Sequence, residues 1–298
     1  MELGRLLTAM VTPFDSEGKV DYAQAKRLAL ALLDSGSDGI VVAGTTGESP
    51  TLTHDEKLRL FEEVKSAVGN RGAVMAGTGT YDTAESIELT QAAERIGVDA
   101  ALLTTPYYSR PPQEGLYRHF AAIAGATSLP CVIYNIPGRT GVNVTLETQL
   151  RIAEIPNIAG VKEASGDLGQ IAAIVEQAPP SYRVWSGDDV LTLPILSVGA
   201  YGVVAVASHL VGAQIQKMIQ AHFAGQHEQA SAIHRRLLPL FNILMTAWGN
   251  PGGVKFALRQ AGFDAGGFRL PLVEPDEAAG AAITAELRRQ HIDLAVAV

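Results

Sequence analysis

Cys131-Val132-Ile133-Tyr134-Asn135 and Ile158-Ala159-Gly160-Val161-Lys162, separated by the amphipathic stretch Thr145–Ala153, decide the fold. Each run is apolar without alternation until its last residues, the pattern of a strand buried on both faces in a parallel sheet. Between them lies chain enough for one crossover helix, with Thr145 placed to cap Leu146–Ala153. Read outward, the unit repeats. Leu6–Val11, Gly39–Ala43, Ala73–Ala76 and Ala100–Thr104 precede it, and Tyr182–Trp185 and Val203–Val206 follow. Helix signals fill the gaps. Thr53-His54-Asp55-Glu56 reads as a capping box ahead of Phe61, Val64 and Val68 on one face. Asp82 stands three residues before Glu85, Gly97 is placed to end that helix, Pro111-Pro112 opens a segment carrying Leu116, Phe120 and Ile123, and Asp167 can cap the segment to Glu176.

Strands alternating with helices from residue 5 onward predict a (β/α)8 TIM barrel over residues 1–225. A doubly wound open sheet would need a phosphate or dinucleotide signature. Gly77-Thr78-Gly79-Thr80-Tyr81-Asp82 fails GxGxxG at the third glycine, and no GxxxxGK[ST] occurs. Beyond residue 225 the pattern changes: His227–Trp248, Gly253–Ala261 and Pro275–Gln290 read as helices with no strand between them. Residues 226–298 are therefore expected to form a helical C-terminal extension.

Composition fits a large buried core. Of 298 residues 47% are hydrophobic and 18% charged, which excludes disorder. The net charge of −8, with no Lys/Arg-rich run, leaves no electrostatic footprint for nucleic acid. The longest apolar stretches, near Val203–Ala207, fall far short of the roughly 20 residues that span a bilayer. Met1–Arg5 shows no basic region leading into an apolar one, so no signal peptide is expected and a cytoplasmic location is. The single cysteine, Cys131, reads as a packed core thiol. His222, His227 and His234 fall in polar helical stretches and are expected on solvated faces; with no HExxH and no Cys cluster, no metal site is expected. GxSxG is also absent.

In a barrel of this kind chemistry belongs at the C-terminal ends of the strands and in the loops that follow. Gly44–Ser49 follows the second run, Thr105–Arg110 the fourth, Ile136–Gly141 the fifth, Lys162–Asp167 the sixth and Ser186–Asp189 the seventh. Lys162 stands out, because the chain has far fewer lysines than arginines and this one alone continues an apolar strand. A desolvated lysine has a lowered pKa, and its neutral amine can attack a ketone to form a Schiff base. The plainer alternative is a strand-end lysine paired with Glu163 or another carboxylate. Tyr134 ends the neighbouring strand, as a proton donor or acceptor or as an amphipathic barrel tyrosine. Thr45 and Thr46, between glycines, offer hydroxyls and N–H groups to a carboxylate or simply close a turn. Arg139, in a Pro/Gly-constrained loop, suits bidentate carboxylate binding or a surface ion pair.

The motifs GTTGES (44–49), TPYY (105–108), PPQEGLYRHF (111–120), YNIPGRTG (134–141), VKEASGD (161–167) and SGDD (186–189) occur in an order that resembles the dihydrodipicolinate synthase family. That family lies within the wider class of Schiff-base-forming pyruvate lyases and aldolases that includes N-acetylneuraminate lyase. The resemblance implies condensation of pyruvate with L-aspartate 4-semialdehyde toward diaminopimelate and lysine, with no metal or organic cofactor. It implies that Lys162 forms the imine. Thr45, Tyr108 and Tyr134 would be a proton relay, Tyr108 entering from a neighbouring subunit of a homotetramer built as a dimer of dimers. Thr46 and the Val204 backbone would hold pyruvate, Arg139 the semialdehyde carboxylate, and Gly187 would lend backbone to the pocket. Ser49, His54, Tyr81, Glu85 and Tyr107 match an effector region.

Two departures stand out. Asn250-Pro251-Gly252-Gly253-Val254-Lys255 lacks a second proline common in the family; this loop is expected to lie away from the imine lysine and to bear on packing. Lys57 and Tyr81 stand where lysine-sensitive relatives carry His and Asn, so inhibition by L-lysine is expected to be weak or absent. Another pyruvate-dependent aldolase, acting on a keto-sugar acid or a 4-hydroxy-2-oxo acid, and a non-catalytic keto-acid sensor are the alternatives.

Overall fold

The computed structural model describes residues 3–295, so the outer ends of the expected barrel and extension, residues 1–2 and 296–298, lie outside the described residues. Its strands are β1 (Leu6–Ala9), β2 (Gly39–Val42), β3 (Ala73–Gly77), β4 (Ala100–Thr104), β5 (Cys131–Asn135), β6 (Ile158–Glu163), β7 (Arg183–Ser186) and β8 (Gly202–Ala205). They pair in chain order into a closed barrel, and parallel pairing of Leu7 with Val204 shuts the ring between β1 and β8. The helices are α1 (Tyr22–Asp34), α2 (His54–Val68), α3 (Thr83–Ile96), α4 (Gln113–Ala124), α5 (Pro137–Thr140), α6 (Leu146–Ala153), α7 (Leu168–Gln177), α8 (Thr192–Ser197), α9 (Ser208–Phe223), α10 (His227–Thr246), α11 (Gly252–Gln260) and α12 (Glu277–Leu287). This is the (β/α)8 TIM barrel expected from the alternation. Helices α10, α11 and α12 follow the last strand and pack against one another, with α10 lying on α9.

Side-chain alternation divides the core in two. Leu7, Val41, Met75, Leu102, Val132 and Trp185 belong to a cluster inside the barrel. Their strand neighbours, such as Leu6, Ile40, Val74, Leu103, Ile133 and Val184, face the helices. The capping box at Thr53 and Glu56 forms, as do the Asp82 and Asp167 caps and the left-handed Gly97 C-cap. Thr145 occupies the N-cap of α6 but does not cap it. Its hydroxyl turns to Thr148 Oγ1 at 3.2 Å and Gln113 Oε1 at 3.3 Å. Helices α5 and α8 are too short for a periodic pattern to announce.

Most strand boundaries fall within one residue of the sequence reading, and two, the ends of β1 and β6, differ by two. The first run leaves the ladder after Ala9, because Val11 N donates instead to His209 Nε2 at 3.2 Å and Pro13 has no N–H. The sixth runs two residues past Val161, through Lys162 and Glu163. That extension follows a bulge: Cys131 pairs with Ile158 but Val132 with Gly160, so Ala159 is an extra residue. The shift sets the phase of everything beyond it. Lys162 stands level with Tyr134 on one side and Trp185 on the other, and faces the barrel interior with them. Gly160 is required here, since a Cβ would lie 1.9 Å from the Arg183 carbonyl oxygen.

Candidate active site

Lys162 enters the interior from the C-terminal part of β6 and is only 5% exposed. Its Nζ lies 4.0 Å from the centroid of the Tyr134 ring. Burial lowers the amine from 10.5 to about 7; Asp189 opposes the shift and Arg139 adds to it. Near neutrality a large fraction is therefore unprotonated and nucleophilic. Glu163 is not its partner. The carboxylate leaves on the opposite face, accepting from Asn135 Nδ2 at 3.1 Å, Gln149 Nε2 at 2.9 Å and Ser165 N at 2.8 Å. Among the described residues no carboxylate lies within ion-pair distance of Lys162. Gly187 gives the lysine its room: a Cβ there would stand 3.2 Å from both Cγ and Cε of Lys162.

Tyr134 is buried, and that burial raises its phenol, against a smaller lowering by Arg139. It rests protonated, fit to donate a proton and to take one only when another group relays it onward. Asp189 is pushed up to about 6 by burial, while backbone donation from Ala207 and Val206 holds it down. Its Oδ2 accepts those two N–H groups at 2.9 and 3.0 Å. Val204 is buried in the interior cluster beside Trp185.

The loop after β2 carries Thr45 and Thr46 between two non-glycine residues with positive φ, Ala43 at 52° and Glu48 at 57°. Thr46 is buried, and its Oγ1 accepts a hydrogen bond from Asn250 Nδ2 at 2.8 Å. Arg139, exposed on α5, donates to the Asn250 carbonyl at 3.2 Å. The 250–255 segment, expected to lie away from the imine lysine and to bear on packing, reaches two candidate site residues, Thr46 and Arg139, through Asn250. Asn250 stands just ahead of α11, whose docking no local pattern announces.

A cavity of about 450 Å³ is lined by Thr45 and Arg139 together with Ser49, Lys57, Tyr81, Glu85 and Tyr107. Lys162 and Tyr134 are not part of its lining, and neither is His54, which is exposed at the start of α2. Tyr107 and Tyr81 meet edge to face at 5.2 Å.

A model of the dihydrodipicolinate synthetase family matches residues 2–290. The chain belongs to the dihydrodipicolinate synthetase family. It is 57% identical over 295 residues to the 4-hydroxy-tetrahydrodipicolinate synthase of Dehalococcoides mccartyi strain CBDB1, covering 99% of each chain. Among solved structures, a dihydrodipicolinate synthase from Bacillus anthracis is 45% identical at a TM-score of 0.94, covering 97% of this chain and 98% of its own. The enzyme from Cyanidioschyzon merolae with lysine bound is 47% identical at a TM-score of 0.94, covering 96% and 98%.

Within this member of the dihydrodipicolinate synthetase family, one residue named from the motifs stands apart. Tyr108 is 96% exposed, with φ 70°, and joins neither the interior cluster nor the cavity. Among the described residues no cluster of His, Cys, Asp or Glu is placed to hold a metal ion. Cys131 is buried, and burial pushes its thiol up to about 12. Of the three histidines expected on solvated faces only His227 is exposed; His222 and His234 are half-buried against neighbouring helices. Sequence reading missed Asn250 and Asp189 as site neighbours. Each lay inside a quoted motif, and that was the available signal.

Proposed function

We propose that this chain condenses pyruvate with L-aspartate 4-semialdehyde through an imine on Lys162, the 4-hydroxy-tetrahydrodipicolinate synthase reaction of diaminopimelate and lysine biosynthesis. The observation that carries the reading is the lysine amine itself, buried beside Tyr134 and lowered to about 7. Neutral Nζ adds to the pyruvate ketone, and loss of water gives the imine. A methyl proton leaves, and the resulting enamine carbon attacks the semialdehyde aldehyde. The substrate amine then closes on the imine carbon and displaces Lys162, releasing 4-hydroxy-tetrahydrodipicolinate. The protonated imine is the electron sink, so no metal or organic cofactor enters this scheme.

Tyr134 and Thr45 would carry protons with Tyr108 of a neighbouring copy. Thr46 and the Val204 backbone would hold pyruvate, Arg139 the semialdehyde carboxylate, and Gly187 would contribute backbone to the substrate pocket. The reading takes residues 1–225 as the catalytic barrel and 226–298 as its extension, in a cytoplasmic homotetramer with neither nucleic acid nor membrane as partner. No helix among the described residues is long and apolar enough to cross a membrane. A sensor has no use for the Thr45, Tyr108, Tyr134 and Lys162 set, which favours an enzyme over a keto-acid-binding protein.

Other aldolases of the superfamily would share the imine chemistry, so Arg139 separates them. Arg139→Ala is expected to raise KM for the semialdehyde by at least about tenfold, while pyruvate still forms a borohydride-trapped adduct on Lys162. Unchanged semialdehyde kinetics would move the assignment to another second substrate. For the whole reading, the test is borohydride trapping with pyruvate, read by peptide mass spectrometry, beside an assay with both substrates coupled to the downstream reductase. An adduct on Lys162 with coupled turnover supports it, and an adduct without turnover points to another aldolase.

Feedback control follows from the residues that line the cavity around Lys57. Lys57 is 7% exposed there; burial lowers its amine and Glu85 pulls it back. An incoming cationic amino acid would meet a resident cation already facing Glu85. Initial rates are therefore expected to stay nearly flat as L-lysine is raised, in contrast to relatives that bind it, and inhibition at micromolar L-lysine would refute this.

A further inference from the structure

A fully buried ion pair lies under the Thr45–Thr46 loop and takes no part in the scheme above. Lys255 Nζ, on α11, donates to Glu48 Oε1 at 2.8 Å, and both side chains are 0% exposed. The lysine also donates to the Gly267 carbonyl at 2.6 Å, and its ammonium lies 4.3 Å from the Phe14 ring centroid. The other Glu48 oxygen accepts Arg269 N at 3.2 Å. Charge desolvated this completely persists only where each partner is satisfied, and here each is. Glu48 needs such an anchor, because a non-glycine residue at φ 57° holds a conformation its own backbone disfavours. Two residues earlier, Thr46 takes its hydrogen bond from Asn250, five residues before Lys255. Because Thr46 Oγ1 accepts that bond, its own proton remains free to be donated to an anion.

We propose that the Glu48–Lys255 pair and Asn250 are positioning residues that hold the Thr45–Thr46 loop from the C-terminal side of the chain and so set pyruvate affinity. The inference rests on the reading of Thr46 as a pyruvate ligand. It makes the helices after the barrel part of the substrate site.

The test uses the full-length protein. Glu48→Gln/Lys255→Met removes both buried charges at nearly constant volume, so it is expected to fold. Pyruvate KM is expected to rise at least about tenfold, more than kcat falls, with the ascending limb of the pH–rate profile unmoved because Lys162 is untouched. Asn250→Ala is expected to raise pyruvate KM in the wild-type background and to add little in the double variant, whose loop is already released. A purely structural role predicts a lower melting temperature with the pyruvate KM of the folded enzyme unchanged. A pyruvate KM within about twofold of wild type in the folded double variant overturns the proposal. If the double variant does not fold, an unchanged KM in Asn250→Ala, at a half-buried loop position, overturns it equally. Thr46→Val separates the two failures. If it leaves pyruvate KM unchanged, the reading of Thr46 fails and the positioning role falls with it. If it raises KM while the other variants do not, only the positioning role is wrong.

Discussion

Lys162→Ala is expected to lower kcat/KM by about 10³-fold or more and to abolish the borohydride-fixed pyruvate adduct. The nucleophile has no substitute within reach. Of the other two buried lysines, Lys255 is already held by Glu48 and Gly267, and Lys57 faces Glu85 in the cavity, whose lining does not include Lys162. In the wild type the rate of imine formation should climb through pH about 7 rather than 10.5, because only the neutral amine attacks and its buried position lowers it that far. A trapping rate still rising steeply above pH 9 would contradict the burial argument. The same burial costs stability, and that cost also depends on pH. Below pH about 7 the native and unfolded amines are both protonated, and the native state bears the full cost of a buried charge. Between about 7 and 10.5 the unfolded chain binds the proton and the native one does not, so this deficit shrinks as pH rises. The drop from 10.5 to about 7 sets the deficit at roughly 5 kcal/mol at most. Lys162→Met should therefore be an inactive protein with a higher melting temperature, and its advantage over wild type should be larger at pH 6 than at pH 9.

How far the sequence announces this site depends on whether the decisive contact is local. The strands were legible because a two-faced burial pattern is written into each short run, and Lys162 was legible as the one charge at the end of such a run. Its direction was not. Ile158-Ala159-Gly160-Val161 is small and apolar throughout, so nothing in it shows that Ala159 bulges, and without that bulge the lysine would stand level with Asn135 and face the helices. Asn250 meets Thr46 across 204 residues and Lys255 meets Glu48 across 207, contacts that neither spacing nor propensity encodes. Charged residues read as surface by default. The 250–255 motif was visible as a motif, but its place beside Thr46 and Arg139 depends on where α11 docks.

Tyr108→Phe is expected to lower kcat by about 10²-fold while leaving pyruvate trapping on Lys162 intact, since a relay phenol serves proton transfer rather than imine formation. The geometry of a single chain makes the role a matter of assembly. At 96% exposure and φ 70°, this tyrosine presents its ring to solvent from a backbone conformation that bulky residues rarely adopt. Tyr134, with which it would exchange a proton, lies inside the barrel. A mixing experiment decides between action within one chain and between two. Unfolding and refolding Lys162→Ala together with Tyr108→Phe produces mixed oligomers. If Tyr108 acts across the interface, one site in each mixed pair regains intact Lys162 from one chain and intact Tyr108 from the other, and activity rises far above that of either variant alone. If it acts within its own chain, every site keeps one defect and the mixture is no more active than the sum of its parts. The first outcome also requires the protein to be an oligomer, because a monomer has no second chain from which the phenol can come.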